Sequence, residues 1–449
     1  MTDTNKTASV DSVAPDAAAM LPSFDLVDVL RGGTSAIRLA KQAYLPKFPL
    51  ESDAGYDFRV KQSVLLPVYK ETLARLVGRV FAKPLTLDES TPERIVTLCE
   101  NVDGENRNLH VFARDVFEMA LHYGVAHVLV DSAATTAMTA AEGAAKPYFV
   151  LVNPRRVIGW KFNSGVLSQL RLRDSVATDD GEFGTKTEDI ITVLEPSLWR
   201  KFKQIDGVWS VFDEGVNSLG KIPMVSVYAN RTGLMTASPP LLELAHLNIK
   251  HYQSQSDQDN ILHTARVPLL LRTGANSDAK NIEVGSSVID MEESGNLRYV
   301  EHSGAAIGAG RESLKDLLDE MQQCGAKLLQ PNSSVKTATQ AREDGAENKS
   351  VLAMMAENLR DSLDAALQLA AEWLNMPDGG KVNVNSDLAA DSAPLETMTV
   401  INTMVAAGTL SAKTAFEEAK RRGILDDSRT WEDEQAQTQG VNQAATGAY

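Results

Sequence analysis

The histidines are the first residues in this chain whose chemistry could hold a metal ion. His122 and His127 are five residues apart, and so are His246 and His251. On a helix, side chains four residues apart share a face, whereas a spacing of five turns them apart. The metalloprotease pattern His-Glu-x-x-His is absent from the sequence. We therefore predict no metal site and interpret these histidines as ordinary surface or partly buried side chains.

A glycine-rich segment, residues 304–311 (GAAIGAGR), follows a predicted strand and opens a predicted helix. This is the position at which a phosphate-binding loop lies. The Lys-Ser/Thr pair that closes such a loop is replaced here by Arg311-Glu312, and the glycine spacing does not fit a dinucleotide motif. The pattern favours a flexible joint between strand and helix, and we predict no cofactor.

The remaining reactive side chains form no catalytic pattern. Cys99 and Cys324 are far apart, and no Gly-x-Ser-x-Gly nucleophile motif occurs. Asp257 and Asp259 lie on a predicted helix and lack the glycine and the distal glutamate of a calcium loop. The sequence therefore predicts no catalytic residues and favours a structural or assembly protein over an enzyme.

Composition narrows the class of protein further. The 449 residues suit two or three domains, and 43% of them are hydrophobic, enough for a substantial core. The net charge of −16 argues against tight binding of nucleic acid through its phosphates. Two cysteines are too few for a disulfide framework and fit a reducing cytoplasm. No apolar run has transmembrane length and no signal-peptide pattern opens the chain, so no membrane partner is expected.

Hydrophobic spacing predicts the elements of the first half. Met1 to about Leu21 is small and polar and is predicted to be a mobile tail. Helical spacing predicts a helix over Val60–Ala82 and another over Leu109–Tyr123, which Gly124 would end. From Pro147 to Tyr228, β-branched and aromatic runs alternate with turn residues and predict an antiparallel meander. Asp206-Gly207 between two short runs predicts a hairpin turn.

The second half is predicted to be mainly helical. A long helix over Ser238–Ala265 is apolar in its first half and polar from Gln253 to Asn260, which favours a helix that projects outward or packs against copies of itself. Short strands are predicted next, at Val267–Leu271, Ser287–Ile289 and Leu297–Glu301. Two further helices are predicted at Ala306–Leu329 and Ala346–Leu374, with a polar loop between them at Gln330–Arg342. The last predicted helices are Leu395–Ala406 and Ser411–Arg422.

Four segments carry a resemblance to a known family. They are residues 240–254 (PLLELAHLNIKHYQS), 261–268 (ILHTARVP), 299–307 (YVEHSGAAI) and 337–341 (TATQA). As a set they resemble a family of tailed-bacteriophage portal proteins first catalogued as a domain of unknown function. The resemblance extends over roughly Leu21 to Ile424, which is nearly all of the predicted ordered chain.

The resemblance implies an α+β portal fold that is mostly helical, with an antiparallel strand-rich wing and a small strand-containing clip, and that assembles into a dodecameric ring. The parts implied are an N-terminal tail (1–20), the wing (21–237), a stem helix (238–265), the clip (266–305), a second stem helix (306–329), a tunnel loop (330–342), a long helix returning to the wing (343–390), crown helices (391–425) and a C-terminal tail (426–449).

The resemblance also implies candidate contact residues and partners. In the tunnel loop, Lys336 and Arg342 would steer DNA, while Asn332, Ser333 and Ser334 would touch its backbone neutrally. An acidic channel wall would repel phosphates and keep friction low. Docking residues in the clip are expected at Arg272, Glu283, Glu292 and Arg298. The implied partners are the terminase large subunit, a head-completion or adaptor protein, the major capsid or scaffolding protein, and double-stranded DNA that passes through the ring without sequence-specific contacts.

The portal interpretation places the protein in the virion and, during assembly, in the host cytoplasm. Two alternative functions remain. One is another phage neck or ejection protein, which a monomeric elongated particle or a ring with another fold would favour. The other is a metal-dependent hydrolase, which would need a deep pocket that gathers His110, His122, Glu118 or Asp115 with a bound metal.

Overall fold

The computed structural model describes residues 9–133, 146–265, 269–273, 296–300, 304–329, 350–386, 394–421, 424–425 and 429–436. The chain divides into two compact units, Met1–Leu388 and Ala389–Tyr449. Helices and sheets are mixed, as the α+β prediction requires. Every strand pairing among the described residues is antiparallel.

Among the described residues, eight helices of the first unit supply most of its core. They are α1 (Pro15–Ala40), α2 (Asp53–Gln62), α3 (Val68–Val80), α4 (Glu93–Glu100), α5 (Leu109–Tyr123), α6 (Leu242–Ala265), α7 (Ala305–Ala326) and α8 (Val351–Trp373). One stripe of α8, including Leu359, Leu363 and Leu367, is fully buried. A spacing of four residues places these side chains on one face, as in an amphipathic helix that packs one face on a core.

The strands within the described part of the chain form five sheets. A three-stranded sheet has the order β3 (Lys146–Val152), β2 (Val125–Ala133), β9 (Met224–Tyr228), and α5 and α8 pack on it. A five-stranded meander follows chain order: β4 (Val157–Asn163), β5 (Val166–Asp180), β6 (Gly184–Leu194), β7 (Leu198–Ile205) and β8 (Val208–Val216). The other described strands form three short antiparallel pairs: β1 (Thr86–Leu87) with β14 (Val382–Asn383), β10 (Arg231–Gly233) with β11 (Thr236–Ala237), and β12 (Leu269–Thr273) with β13 (Asn296–Val300).

Local sequence signals placed several boundaries correctly. Helix α5 ends at Tyr123, and Gly124 follows with a φ of 90°, the left-handed conformation that a C-terminal glycine adopts. A side chain on Gly124 would collide with the backbone of Ser238. Asp206 and Gly207 join β7 to β8 with φ angles of 52° and 79°, as a two-residue hairpin turn demands.

The helix predicted over Val60–Ala82 is two helices. Helix α2 ends at Gln62 and α3 begins at Val68, directly after Pro67. Proline has no N–H to donate, and its ring keeps the preceding residue out of the helical conformation. The prediction of one continuous helix is therefore wrong. It relied on the helical spacing of apolar residues on both sides of Pro67 and did not allow for the break that the proline causes.

The predicted N-terminal tail is ordered from residue 9 onward. Helix α1 begins at Pro15, and Met20 and Phe24 are buried in the core. Ahead of the helix, Arg171 and Arg173 donate hydrogen bonds to the carbonyls of Val10 and Asp11, at 2.8 and 2.9 Å. We call residues 9–14 the strap, because they lie across one face of the five-stranded sheet. The tail prediction is wrong here, since tertiary contacts order a segment too polar to order itself.

The hairpin of β5 and β6 extends beyond its sheet. β4 pairs with β5 only as far as Leu172, and β7 pairs with β6 only from Ile190 to Leu194. The two long strands nevertheless stay paired with each other up to Asp180 and Gly184. Residues 175–189 therefore form a two-stranded arm, which has no further strand beside it among the described residues.

The second unit contains helices α9 (Pro394–Ala406) and α10 (Ala412–Arg421). Phe416 of α10 is buried, and its ring lies 5.6 Å from that of Trp431. Residues 431–436 are helical, within the segment predicted to be a C-terminal tail. That prediction is wrong for these residues, because Trp431 has an aromatic partner to pack against.

Candidate functional site

Helices α6 and α7 run side by side in opposite directions. The side-chain amide of Gln258, late in α6, donates to the carbonyl of Ile307, early in α7, at 3.0 Å. At the other end of the pair, Glu243 of α6 is close enough to Cys324 of α7 for its negative charge to raise the pKa of that thiol. A side chain on Gly310 would collide with Gln258, so the glycine allows the close approach. The hairpin β12–β13 joins the two helices at the end near Gln258.

The polar residues of α6 do not all face solvent. Asn248 is fully buried, accepts a hydrogen bond from the backbone N–H of Tyr69 at 3.1 Å, and donates to the carbonyl of Leu66 at 3.0 Å. Further along, buried Ser256 accepts from the hydroxyl of buried Ser63 at 2.8 Å. The prediction that the polar half projects outward is therefore wrong as far as Gln258, because neighbouring groups satisfy these side chains.

Helix α7 is exposed along most of its length. Leu317 and Met321 are its buried contacts with the core. Its exposed surface carries four carboxylates and two cations: Glu312, Asp316, Asp319 and Glu320, with Arg311 and Lys315. The excess of negative charge makes this surface one that repels phosphates.

The predicted tunnel-loop residues lie outside the described residues. These are Asn332, Ser333, Ser334, Lys336 and Arg342. The described chain reaches Leu329 beyond α7 and resumes at Ser350, whose hydroxyl accepts from the N–H of Ala353 and caps α8. Their role as DNA-facing residues stays a prediction.

Two of the four predicted docking residues fall in described strands. Arg272 of β12 is paired with Leu297, and Arg298 of β13 is paired with Leu271. Glu283 and Glu292 lie outside the described residues. The structure thus brings Arg272 and Arg298 into one hairpin, and their role in docking stays a prediction.

The residues that a hydrolase would need are engaged separately. Nδ1 of His110 accepts from the backbone N–H of Leu85 at 3.1 Å. Asp115 pairs with Arg107 at 3.0 Å, and Glu118 pairs with Arg31 at 2.6 Å. Among the described residues, no three His, Cys, Asp or Glu side chains come together as a metal site requires.

His122 belongs to a buried network that joins α1, α3 and α5. Its Nε2 lies 2.9 Å from a carboxylate oxygen of Asp28, so this nitrogen carries the proton. Nδ1 then accepts from the hydroxyl of Tyr69 at 3.1 Å. Burial lowers the pKa of His122 more than Asp28 raises it, so the ring is neutral near pH 7.

Asp28 is the centre of this network. It also accepts from the hydroxyl of Tyr123 at 2.7 Å and from Nε of Arg155 at 2.6 Å. Burial would raise the pKa of Asp28, but these hydrogen bonds and the charge of Arg155 leave the pKa lowered. His122 and Tyr69 are fully buried, and the Tyr–His–Asp hydrogen bonds connect α1, α3 and α5.

Neither cysteine is activated for chemistry. Burial raises the pKa of Cys99 to about 12 and also raises that of Cys324. Both therefore remain thiols at neutral pH, whereas a nucleophile must reach the thiolate. No helix among the described residues is long and apolar enough to span a membrane.

Sequence reasoning missed two polar positions that the structure reveals. Asn248 interrupts an apolar run on α6, and a polar residue in such a run is a signal for a buried hydrogen bond. Asp28 gave no comparable signal, because its partners are distant in sequence. The cluster around Asp28 can be recognised only from the packed helices, because its members come together only in the folded protein.

Comparison with known proteins supports the family resemblance. The sequence model of a family described as "Domain of unknown function (DUF4055)" matches residues 240–374. This range contains all four segments on which the resemblance rests, so the resemblance to a family catalogued as a domain of unknown function is confirmed. The match covers less than a third of the chain. No curated protein matches the sequence.

Solved structures of gene transfer agent particles are similar to this chain at 11% identity. One is the neck of the native particle computed with C12 symmetry, with a TM-score of 0.43, covering 78% of this chain and 88% of that one. Another is the neck of the empty particle with C6 symmetry, with a TM-score of 0.41 and the same coverage. A third is the virion of the native particle, with a TM-score of 0.41, covering 84% of this chain and 96% of that one.

Proposed function

We propose that this protein is the portal protein of a tailed bacteriophage. It would form a dodecameric ring at one capsid vertex, through which DNA enters during packaging and leaves during ejection. The observation that carries the proposal is the antiparallel pair α6–α7 that brackets the hairpin β12–β13, within the segment that resembles portal proteins.

The packing of α6 and α7 supports their role as the two stem helices. One end of α6 is fixed in the core through Leu244 and Tyr252, while Asn260 and Ile261 near the other end are exposed. Helix α7 likewise touches the core along one stripe, and most of its remaining side chains are exposed in the described structure. Helices with uncovered surfaces suit a subunit that packs beside its symmetry mates.

The charge of the protein supports a passive channel. The net charge is −16, and the exposed surface of α7 is acidic. A conduit must not bind the polymer that slides through it, and negative walls prevent lasting phosphate contacts. Lys336 and Arg342 of the tunnel loop would steer the duplex, while Asn332, Ser333 and Ser334 would touch it neutrally.

The remaining assignments follow the portal interpretation. Residues 21–237 would be the wing, 266–305 the clip and 391–425 the crown. The clip, with Arg272, Glu283, Glu292 and Arg298, would dock the terminase large subunit and later the head-completion protein. The terminase would hydrolyse ATP, and the portal would contribute no catalysis. The ring would also contact the major capsid or scaffolding protein in the assembling virion.

The decisive experiment is to determine the assembly of the purified full-length chain. We expect light scattering after gel filtration to give a mass close to twelve chains, and electron microscopy to show a ring with a central hole. Helices α6 and α7 should surround that hole. A compact monomer, or a ring in which α6 and α7 lie far from the hole, would contradict the proposal.

A further inference from the structure

The five-stranded sheet has one face under the strap and a second face that points the other way. On the first face, Ile191 of β6 and Phe202 of β7 are paired and meet Val10 of the strap. Successive side chains of a strand point to opposite faces, so Lys201 and Lys203 lie on the second face. These two lysines therefore belong to a part of the sheet that the strap does not cover.

We call Lys201, Lys203, Ile205, Val208 and Phe212 the lysine face. Ile205 pairs with Val208, and Lys203 lies two residues before Ile205 on the same side of the sheet. Strand β8 bulges at Phe212 and turns this ring to the same side, where Nζ of Lys203 lies 5.2 Å from its centre. The three apolar residues are exposed, Val208 by 64%. Exposed apolar side chains grouped around two cations suit a partner that is both acidic and aromatic.

The charge of Lys203 is available to such a partner. Lys203 forms no ion pair within the described part of the chain, whereas Lys201 pairs with Asp213 at 3.1 Å. Glu188, at the base of the arm, is already bonded to Lys186 at 2.9 Å. Lys203 can therefore receive a carboxylate from another molecule.

The tip of the arm has the complementary composition. Phe183 at the tip is 92% exposed, and Asp179, Asp180 and Glu182 beside it are exposed as well. These three carboxylates have no ion-pair partner among the described residues. Surfaces of opposite charge attract each other and suppress wrong partners. An isolated two-stranded hairpin is also only marginally stable in water, so the arm gains from a surface to rest on.

A chain cannot place its arm tip on its own lysine face. Lys203 pairs with Ile190 at the base of the arm, and Phe183 lies seven residues away from Ile190 along β6. A strand rises roughly 3.3 Å per residue, which puts the tip roughly 20 Å beyond Lys203. The tip therefore reaches a lysine face only on another molecule.

We propose that the arm tip of one copy docks on the lysine face of the neighbouring copy. Phe183 would lie beside Phe212, and the carboxylates of the tip would meet Lys201 and Lys203. The inference rests on the proposed ring, because it names a contact between adjacent subunits. The tip and the lysine face are unlike surfaces of one chain, so the contact is heterologous, and heterologous contacts generate a ring when the rotation closes.

Photo-crosslinking of the full-length chain tests the contact directly. We would place p-benzoylphenylalanine, an aromatic photoreactive residue, at the position of Phe183 and irradiate the assembled protein. Covalent multimers should form, and mass spectrometry should locate the cross-linked peptide in residues 198–216. The control places the same residue at the fully exposed Leu50 and should not label β7 or β8.

A second measurement follows assembly without cross-linking. Phe183→Ser should raise the protein concentration needed for half-assembly by at least about tenfold, as expected for an interface hot spot. The matched variant Leu50→Ser should leave that concentration unchanged.

Charge reversal tests the pairing of the two surfaces. Lys203→Glu and Glu182→Lys should each weaken assembly, because each puts like charges together across the contact. The two substitutions in one chain should restore assembly. The control Lys161→Glu, which changes an exposed lysine of β4, should have no effect. A double variant that assembles no better than the single variants would overturn the proposed pairing.

The outcomes separate this contact from the ring itself. If the wild-type chain is monomeric, the proposed function and this contact both fail. If rings form, the label at position 183 does not reach β7 or β8 of another chain and Phe183→Ser assembles normally, only the contact is overturned. Cross-links confined to a single chain also overturn it.

Discussion

At the scale of single residues, hydrogen bonds to specific partners hold several polar side chains in the interior. Asn248 bridges two backbone groups, and His122 is held between Tyr69 and Asp28. His127 on β2 is also buried, and its Nδ1 lies 2.9 Å from the hydroxyl of Ser226. A buried polar group without a partner costs roughly 1–3 kcal/mol, so these hydrogen bonds define where each side chain must lie.

The burial of His127 predicts a loss of stability in mild acid. Burial lowers the pKa of His127 to about 4, whereas a histidine in an unfolded chain has a pKa of about 6.5. The unfolded chain therefore takes up the proton first, and stability falls as the pH drops from about 6.5 towards 4. Replacing the ring by His127→Gln should reduce the loss of unfolding free energy between pH 7 and pH 5 by about 2 kcal/mol.

Denaturant titrations at the two pH values would measure this difference. His246→Gln is the matched control, because His246 is exposed on α6. It should leave the pH dependence of the unfolding free energy as in the wild type. An unchanged pH dependence in His127→Gln would show that this ring is not the group responsible.

At the scale of elements, the strap connects the helical core to the five-stranded sheet. The N–H of Ala14 donates to the carbonyl of Ile158 at 2.7 Å, and Val10 packs against a cluster of Ile158, Ile191 and Val193. The strap thereby covers an apolar sheet face that would otherwise meet water. Six residues just ahead of α1 thus fix the position of the sheet relative to that helix.

Disrupting the strap should weaken the sheet. Val10→Asp places a charge on the apolar cluster and should lower the free energy of unfolding by about 1–3 kcal/mol. Val13→Asp is the matched control, since Val13 is 39% exposed, and it should change stability by less than about 0.5 kcal/mol. Equal effects of the two substitutions on the denaturation midpoint would contradict this role of Val10.

Sequence reasoning predicted the elements whose signals are local. Gly124 ended α5 and Asp206-Gly207 joined β7 to β8, because both depend on backbone conformations that a few residue types adopt. The strap and the buried polar half of α6 escaped prediction, since distant partners such as Arg171 and Ser63 determine them. For the candidate site, the helix pair was predictable, whereas its contacts through Gln258 and Gly310 were not.

At the scale of the whole molecule, the two units each have their own interior. In the first, one continuous core joins the helices to the three-stranded sheet. In the second, Phe416, Ala415 and Ile401 are buried. A unit with its own core can fold as a unit.

This division predicts that the first unit folds without the second. A chain ending at Leu388 should keep the main unfolding transition of the full-length protein within a few degrees, because the large core is intact. Calorimetry of the two chains, with circular dichroism to confirm native helix content, would measure this. A truncated chain without a cooperative transition would contradict the independence of the first unit.

The antiparallel course of α6 and α7 has a further consequence. Because the two helices run in opposite directions, the hydrogen bond between Gln258 and Ile307 holds together the two ends of the segment that connects them. The entropy of closing such a loop grows only slowly with its length. We therefore expect that the segment between the two helices can be lengthened, shortened or replaced by an unrelated domain while the rest of the protein keeps its fold.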